Sequence, residues 1–140
     1  MKFSLNSLAG DQLTVLVLND CRPAEDWLRC SIRIAAGAWV GIFDAYFKPY
    51  RFRQFRNELD ALAETNEGVA SFVTIENQLE ISVRMIDGEM VVAECVANDH
   101  PGGRNRLNFA LSFNSSDFFP VLRDQLLKIE AAFPPDSPVT

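Results

Sequence analysis

The sequence predicts an α+β domain in which two amphipathic helices pack on one face of a largely antiparallel sheet of six to eight strands. Three observations carry this expectation. Residues 107–113 alternate, with Leu107, Phe109, Leu111 and Phe113 on one side and Asn108, Ala110 and Ser112 on the other, the period of a strand buried on one face. Phe119, Leu122, Leu126, Ile129 and Phe133 then recur at steps of three and four, which places them along one side of a helix. A second such stripe, Phe52, Phe55, Leu59 and Leu62, follows Lys48-Pro49. Each helix therefore has one face to bury, and a sheet is the apolar surface that the remaining segments supply.

Taken in order, residues 1–8 read as an edge strand, and Ala9-Gly10-Asp11-Gln12 as a turn. The run LTVLVL at 13–18 is apolar on both faces, as in an interior strand or one covered by a partner. Residues 19–25 read as a polar loop that holds Cys21 and Pro23. From 26 to 47 alternation returns: Cys30, Ile32 and Ile34 point one way, then Gly37 interrupts, then Trp39, Gly41, Phe43, Ala45 and Phe47 face inward. A glycine between two such runs points to a hairpin. The first helix ends at Asn66-Glu67-Gly68. A three-strand meander follows over 69–75, 79–85 and 89–97, with Asp87-Gly88 as a two-residue turn. The second helix starts within Asn114-Ser115-Ser116-Asp117, where a hydroxyl or carboxylate can cap it; with Asp117 as the N-cap, Pro120 falls in the first turn. Residues 1–133 then make one domain and 134–140 a flexible Pro-rich tail. The two strand-to-helix passages, 43–62 and 109–129, match one another weakly, as any strand feeding a core-facing helix does.

Composition narrows the function. A formal charge of −6 and a pI near 4.7 argue against nucleic-acid binding, which needs a basic surface. They favour a basic protein partner. Cys21, Cys30 and Cys95 are odd in number and lack metal or redox spacing, which fits free thiols in a reducing compartment. The N-terminus has no secretion-signal pattern, and no apolar run is long enough for a membrane helix. The expectation is a soluble cytoplasmic protein that holds no cofactor or metal.

No residue pattern identifies a catalytic site. His100 lies in a loop with Gly102-Gly103, but the spacing supplies neither a nucleophile nor an orienting acid, and no phosphate-loop pattern is present. Surface positions are more informative. If both helices cover one side of the sheet, then Val40, Ile42, Asp44 and Tyr46, with Met90, Val92, Glu94 and Val96, face the other. That face is too apolar to be fully wet, unless the N-terminal strands fold over it. On the first helix, Arg51, Arg53 and Arg56 precede Glu58, Asp60 and Glu64, the reverse of the dipole preference. Arg51 to Arg56 are expected to pair with acids on neighbouring strands. The partner-binding candidates are Asp44, Tyr46, Arg51, Glu58, Asp60, Glu64, Met90, Val92 and Glu94, and homodimerisation through the outer face is compatible with them.

Asp26-Trp27-Leu28, Gly37-Ala38-Trp39, the helix FRQFRNELDAL, the meander with Leu79 on its second strand, the strand LNFALSF and the closing helix that ends at Phe133-Pro134 resemble the WapI-like bacterial immunity proteins and related small bacterial domains. The resemblance implies a non-enzymatic protein that binds and neutralises the toxic domain of a polymorphic toxin, often a nuclease, and it supplies no catalytic residues. Three alternatives stand beside it: a small-molecule carrier with a cavity between sheet and helices, a homodimeric accessory protein, and a small enzyme that uses His100 and a carboxylate.

Overall fold

In the computed structural model, which describes residues 1–22, 27–74 and 76–135 and only the backbone of 19–22, eight antiparallel strands divide into two four-stranded meanders, each closed by a helix. The first half comprises β1 (Lys2–Asn6), β2 (Gln12–Arg22), β3 (Trp27–Ala36), β4 (Trp39–Phe47) and α1 (Pro49–Thr65). The second comprises β5 (Ala70–Val73), β6 (Leu79–Met85), β7 (Met90–Asn98), β8 (Arg106–Asn114) and α2 (Ser115–Ala132). The sheet orders are β1-β2-β3-β4 and β5-β6-β7-β8. The passages that match weakly in sequence, β4 into α1 and β8 into α2, thus stand at equivalent places in the two halves.

The α+β class stands, with its strands shared between two ladders. Alternation along a strand reports which face is buried but not which strand lies beside it. Both inner faces feed one core. Phe3 of β1, Phe47 of β4, Phe52 and Phe55 of α1 and Phe72 of β5 are all at most 1% exposed, with ring centroids 4.5–6.3 Å apart. Phe47 stacks on Phe72 at 4.5 Å and so joins the two sheets directly. β2 lies between β1 and β3, one of the two placements its apolar run allows; Leu13, Val15 and Val17 are buried, while on the other face Leu16 is half-buried and Leu18 exposed.

Several local expectations need correction. The polar segment 19–22 continues β2 instead of opening a loop; bulges between Val17 and Asn19 and between Asp20 and Arg22 keep its backbone paired with β3. Polar side chains do not end a ladder whose backbone groups still find partners. The expected loop residues Pro23 and Glu25 lie outside the described residues, as do Asp26 and 136–140 of the tail. The β6–β7 connection spans residues 86–89, not two residues: Ile86 N–H bonds Met90 O at 2.9 Å, and the Asp87 carboxylate accepts the N–H groups of Glu89 and Met90 at 2.8 and 3.0 Å. These bonds hold the Asp87 carboxyl below its usual range, the Glu89 bond most strongly.

Helix α2 begins earlier than Asp117. Asn114 is its N-cap, without a side-chain capping bond, and Pro120 lies inside the helix. Its ring leaves Ser116 O without the usual donor. Asp117 in the first turn suits the dipole. The buried residue beside the turn is Phe118, 4.5 Å from Phe113, while Phe119 is only partly buried. In α1, Pro49 starts the helix, and Asn66 in the left-handed region (φ 58°) ends it by donating its N–H to Leu62 O. The two-residue β3–β4 hairpin turns on Gly37 at φ +59°, as expected.

Candidate protein-interaction surface

Unpaired sheet edges invite other chains, and folded proteins usually cover them. Here the first strand of each sheet is covered by a helix side chain. The edge N–H of Ser4 on β1 donates to Gln125 Oε1 of α2 at 2.9 Å, and that of Ser71 on β5 donates to Glu58 Oε1 of α1 at 2.8 Å. The last strands are covered only in part. β8 receives Leu8 N–H at Ser112 O, 3.0 Å, and β4 receives Gln78 Nε2 at Asp44 O, 3.1 Å.

That last contact shows which β4 backbone groups point outward. Along an antiparallel strand, alternate residues turn their N–H and C=O away from the partner. Since Asp44 O reaches an outside donor, Val40 and Ile42 share its outward direction. Among the described residues nothing bonds their backbone groups. The same stretch exposes apolar side chains: Trp39 is 66%, Val40 77% and Ile42 70% exposed.

Beside this edge opens a cleft of about 480 Å³ between the two sheets. Ile34 and Phe43 line one wall, Ala97 and Leu107 the other, and Asp99, Arg104 and Arg106 stand at its mouth. The 98–105 loop that carries those charges is internally braced. Asn98, nearly buried, donates from Nδ2 to Gly103 O at 3.0 Å, and its Oδ1 accepts His100 N–H at 3.4 Å. Gly103 N–H bonds His100 O at 2.9 Å. A Cβ on Gly103 would lie 2.9 Å from the Cβ of His100, so this close turn requires glycine. His100 itself is exposed.

The residues expected to bind a partner are scattered. Asp44 and Tyr46 lie on the outer face of β4, whereas Met90, Val92 and Glu94 lie on β7. The two groups therefore belong to different sheets and do not form one face. Val92 is only 8% exposed, Met90 is half-buried, and Glu94 pairs with Arg84 at 2.9 Å. On α1, Glu58 is the edge cover of β5, and Asp60 bonds Arg56 and Arg123 at 3.2 and 3.1 Å. Glu64 is exposed, and Arg51 stacks over Tyr50 with its buried Nε unbonded.

Arg53 and Arg56 of α1 find their acid on the other helix, not on a strand. Arg56 grips Glu130 of α2 through Nε and Nη2 at 2.6 and 3.0 Å, and Arg53 approaches the same carboxylate at 3.8 Å. The Glu130 bond is the main cause that raises Arg56 above its usual pKa. Sequence reading named Val40 and Ile42 but missed their open backbone edge, because register and sheet neighbours are not written in a strand's own pattern. Trp39, which alternation places facing inward with Gly41 and Phe43, is instead 66% exposed, because the cleft opens beside it and leaves its ring without a covering layer.

Cys30 and Cys95 are buried, and burial pushes the Cys95 thiol up to about 12. Among the described residues, no three His, Cys, Asp or Glu side chains converge as a metal site, and no helix is long and apolar enough to cross a membrane. What the fold presents is a small α+β domain with an open, apolar sheet edge, the features of a protein-binding module. The family model "Immunity protein WapI-like family" matches residues 4–134, and the chain belongs to that family. Membership supports an immunity role with a toxin protein as partner. No curated protein matches significantly. A solved structure, that of Trypanosoma bruciei MRP1/MRP2, is similar with a TM-score of 0.54 at 10% identity, covering 94% of this chain and 84% of that one. At that identity the likeness is one of fold alone.

Proposed function

We propose that this chain neutralises a cognate toxin domain by holding it in a tight, inactive complex, and that it acts by binding and not by catalysis. The observation that carries this reading beyond family membership is the β4 edge, where Trp39, Val40 and Ile42 stand in solvent. An exposed apolar group of this kind marks a surface that a partner covers. The net charge of −6 favours a toxin domain that is basic as a whole, drawn in at a rate that falls with salt. The acids of α1 contribute less to contact than their number implies, since Glu58 and Asp60 are already bonded within the chain. A carrier cavity between strands and α1 fits poorly, because five phenylalanine rings occupy that space.

Co-expression in a bacterial host with the toxin domain encoded beside it tests the proposal. The wild-type chain should restore growth, and Trp39→Ser/Val40→Ser/Ile42→Ser should lose that protection while remaining folded. Full protection by the triple variant would sink the assignment of the surface, and failure of the wild type would sink the immunity role.

A further inference from the structure

We infer that the β4 edge receives an extended, acidic segment of the partner as an added strand, lying along the mouth of the inter-sheet cleft. The inference rests on the immunity reading and specifies how the partner is gripped. Val40 and Ile42 turn their backbone N–H and C=O groups outward with nothing bonded to them among the described residues. These are the groups to which an extended chain adds main-chain hydrogen bonds. Alternate side chains of such a strand would point to opposite faces. One set would meet Val40 and Ile42 on the outer face; the other would enter the cleft against Phe43 and Leu107.

Charge decides the occupant. Although the chain is acidic as a whole, the cleft mouth carries Arg104 and Arg106 against the single carboxylate of Asp99, which already accepts Asn105 Nδ2 at 3.2 Å. Both arginines are exposed, and neither makes an ion pair among the described residues. The braced 98–105 loop fixes the backbone from which Arg104 projects, and Arg106 projects from β8, so both cations stand on ordered backbone before a partner arrives. They suit Asp and Glu side chains, which arginine can bind in bidentate fashion. A second copy of this chain fits worse: pairing two β4 edges about a twofold axis puts both arginine pairs on one face. A toxin domain that is basic overall can still offer an acidic strand, because net charge acts at long range and the groove acts in contact.

The test is selection of random short peptides displayed on phage against the purified full-length chain. Peptides that alternate apolar residues with Asp or Glu should be enriched. A selected peptide should bind about tenfold or more weakly to Arg104→Glu/Arg106→Glu, and likewise to Val40→Pro, which removes an outward N–H while leaving the β3 ladder bonded. Unchanged thermal melts certify both folds, and the arginine variant stands alone if the proline variant melts early. Enrichment of basic or patternless peptides, no enrichment, binding indifferent to the arginine reversal, or a self-associated form that survives that reversal and excludes peptide would each overturn the inference. Growth protection separates the two readings. If the arginine variant still protects cells, this docking mode fails and immunity stands; if peptides bind as expected but the wild type protects against no toxin, immunity fails and the docking mode stands.

Discussion

Cys95 shows how burial alone governs the chemistry of a residue. Its thiol is shut into the inner face of β7, and desolvation raises its pKa from 9.0 to about 12. Only the thiolate is a good nucleophile, so alkylating reagents at mildly alkaline pH should modify Cys95 only at the rate at which the chain unfolds. Mass spectrometry of native and urea-treated protein will show this. The same shift has a pH consequence. Below the unfolded thiol's pKa both states carry the proton, and stability is unaffected; between about 9 and 12 the unfolded chain releases it and the folded chain does not. Stability therefore falls as pH rises through that window, by at most about 1.4 kcal/mol per pH unit from this group. Cys95→Ala should flatten that alkaline limb in urea titrations, and equal slopes in both proteins would contradict the burial account. Asp87 is the opposite case: its lowered pKa adds stability that is present above the ordinary carboxylate range and lost as pH falls.

Among the elements, the two helices are joined by more than apolar packing. Arg56 and Glu130 meet with two hydrogen bonds, and their side chains are only 16% and 10% exposed, so the pair is better shielded than a rim ion pair. A double-mutant cycle of Arg56→Ala and Glu130→Ala, read by urea denaturation, should give a coupling energy of about 1–2 kcal/mol, above the ~0.5 kcal/mol common for exposed pairs. A coupling near zero would mean that apolar burial alone docks α2. Arg56 sits at mid-helix, where the dipole is weak, and its position answers to a tertiary contact: it gains a carboxylate on the neighbouring helix. Glu58, toward the other end, covers the edge of β5.

For the molecule as a whole, Phe72 is the residue on which the two halves depend. It contacts Phe3 and Phe47 of the first sheet and Phe52 and Phe55 of α1 and is wholly buried. Phe72→Ala should cost about 3–5 kcal/mol, much of the stability of a domain this size. If the domain remains cooperative, a single shifted urea transition will be seen by both circular dichroism and tryptophan fluorescence; two separate transitions would show that the halves fold independently. Trp39→Ser, by contrast, should leave the midpoint almost unmoved, because that ring is mostly in solvent. Core and edge are therefore separable by mutation.

The α1 stripe, Leu122, Leu126 and Ile129 of α2 and the strands on either side of Gly37 were legible in the sequence, because burial writes a period of 3.6 or 2 into a single segment. So was the α+β class, and so was the apolar character of Val40 and Ile42. Which strands neighbour one another was not, because a strand's alternation is satisfied by any apolar layer placed against it. That single gap explains why Asp44 and Val92 were placed on one surface although they lie in different sheets. Glu58 looked free for a related reason, since the β5 edge it covers is not written in the helix; Asp60 meets Arg123 of α2 as well as Arg56 of its own helix. Local pattern was enough to set the elements and most of their buried faces; the division into two sheets, the helix–helix ion pair and the open β4 edge beside an arginine-lined cleft emerge only when the chain is packed, since each depends on groups that meet across long separations along the chain.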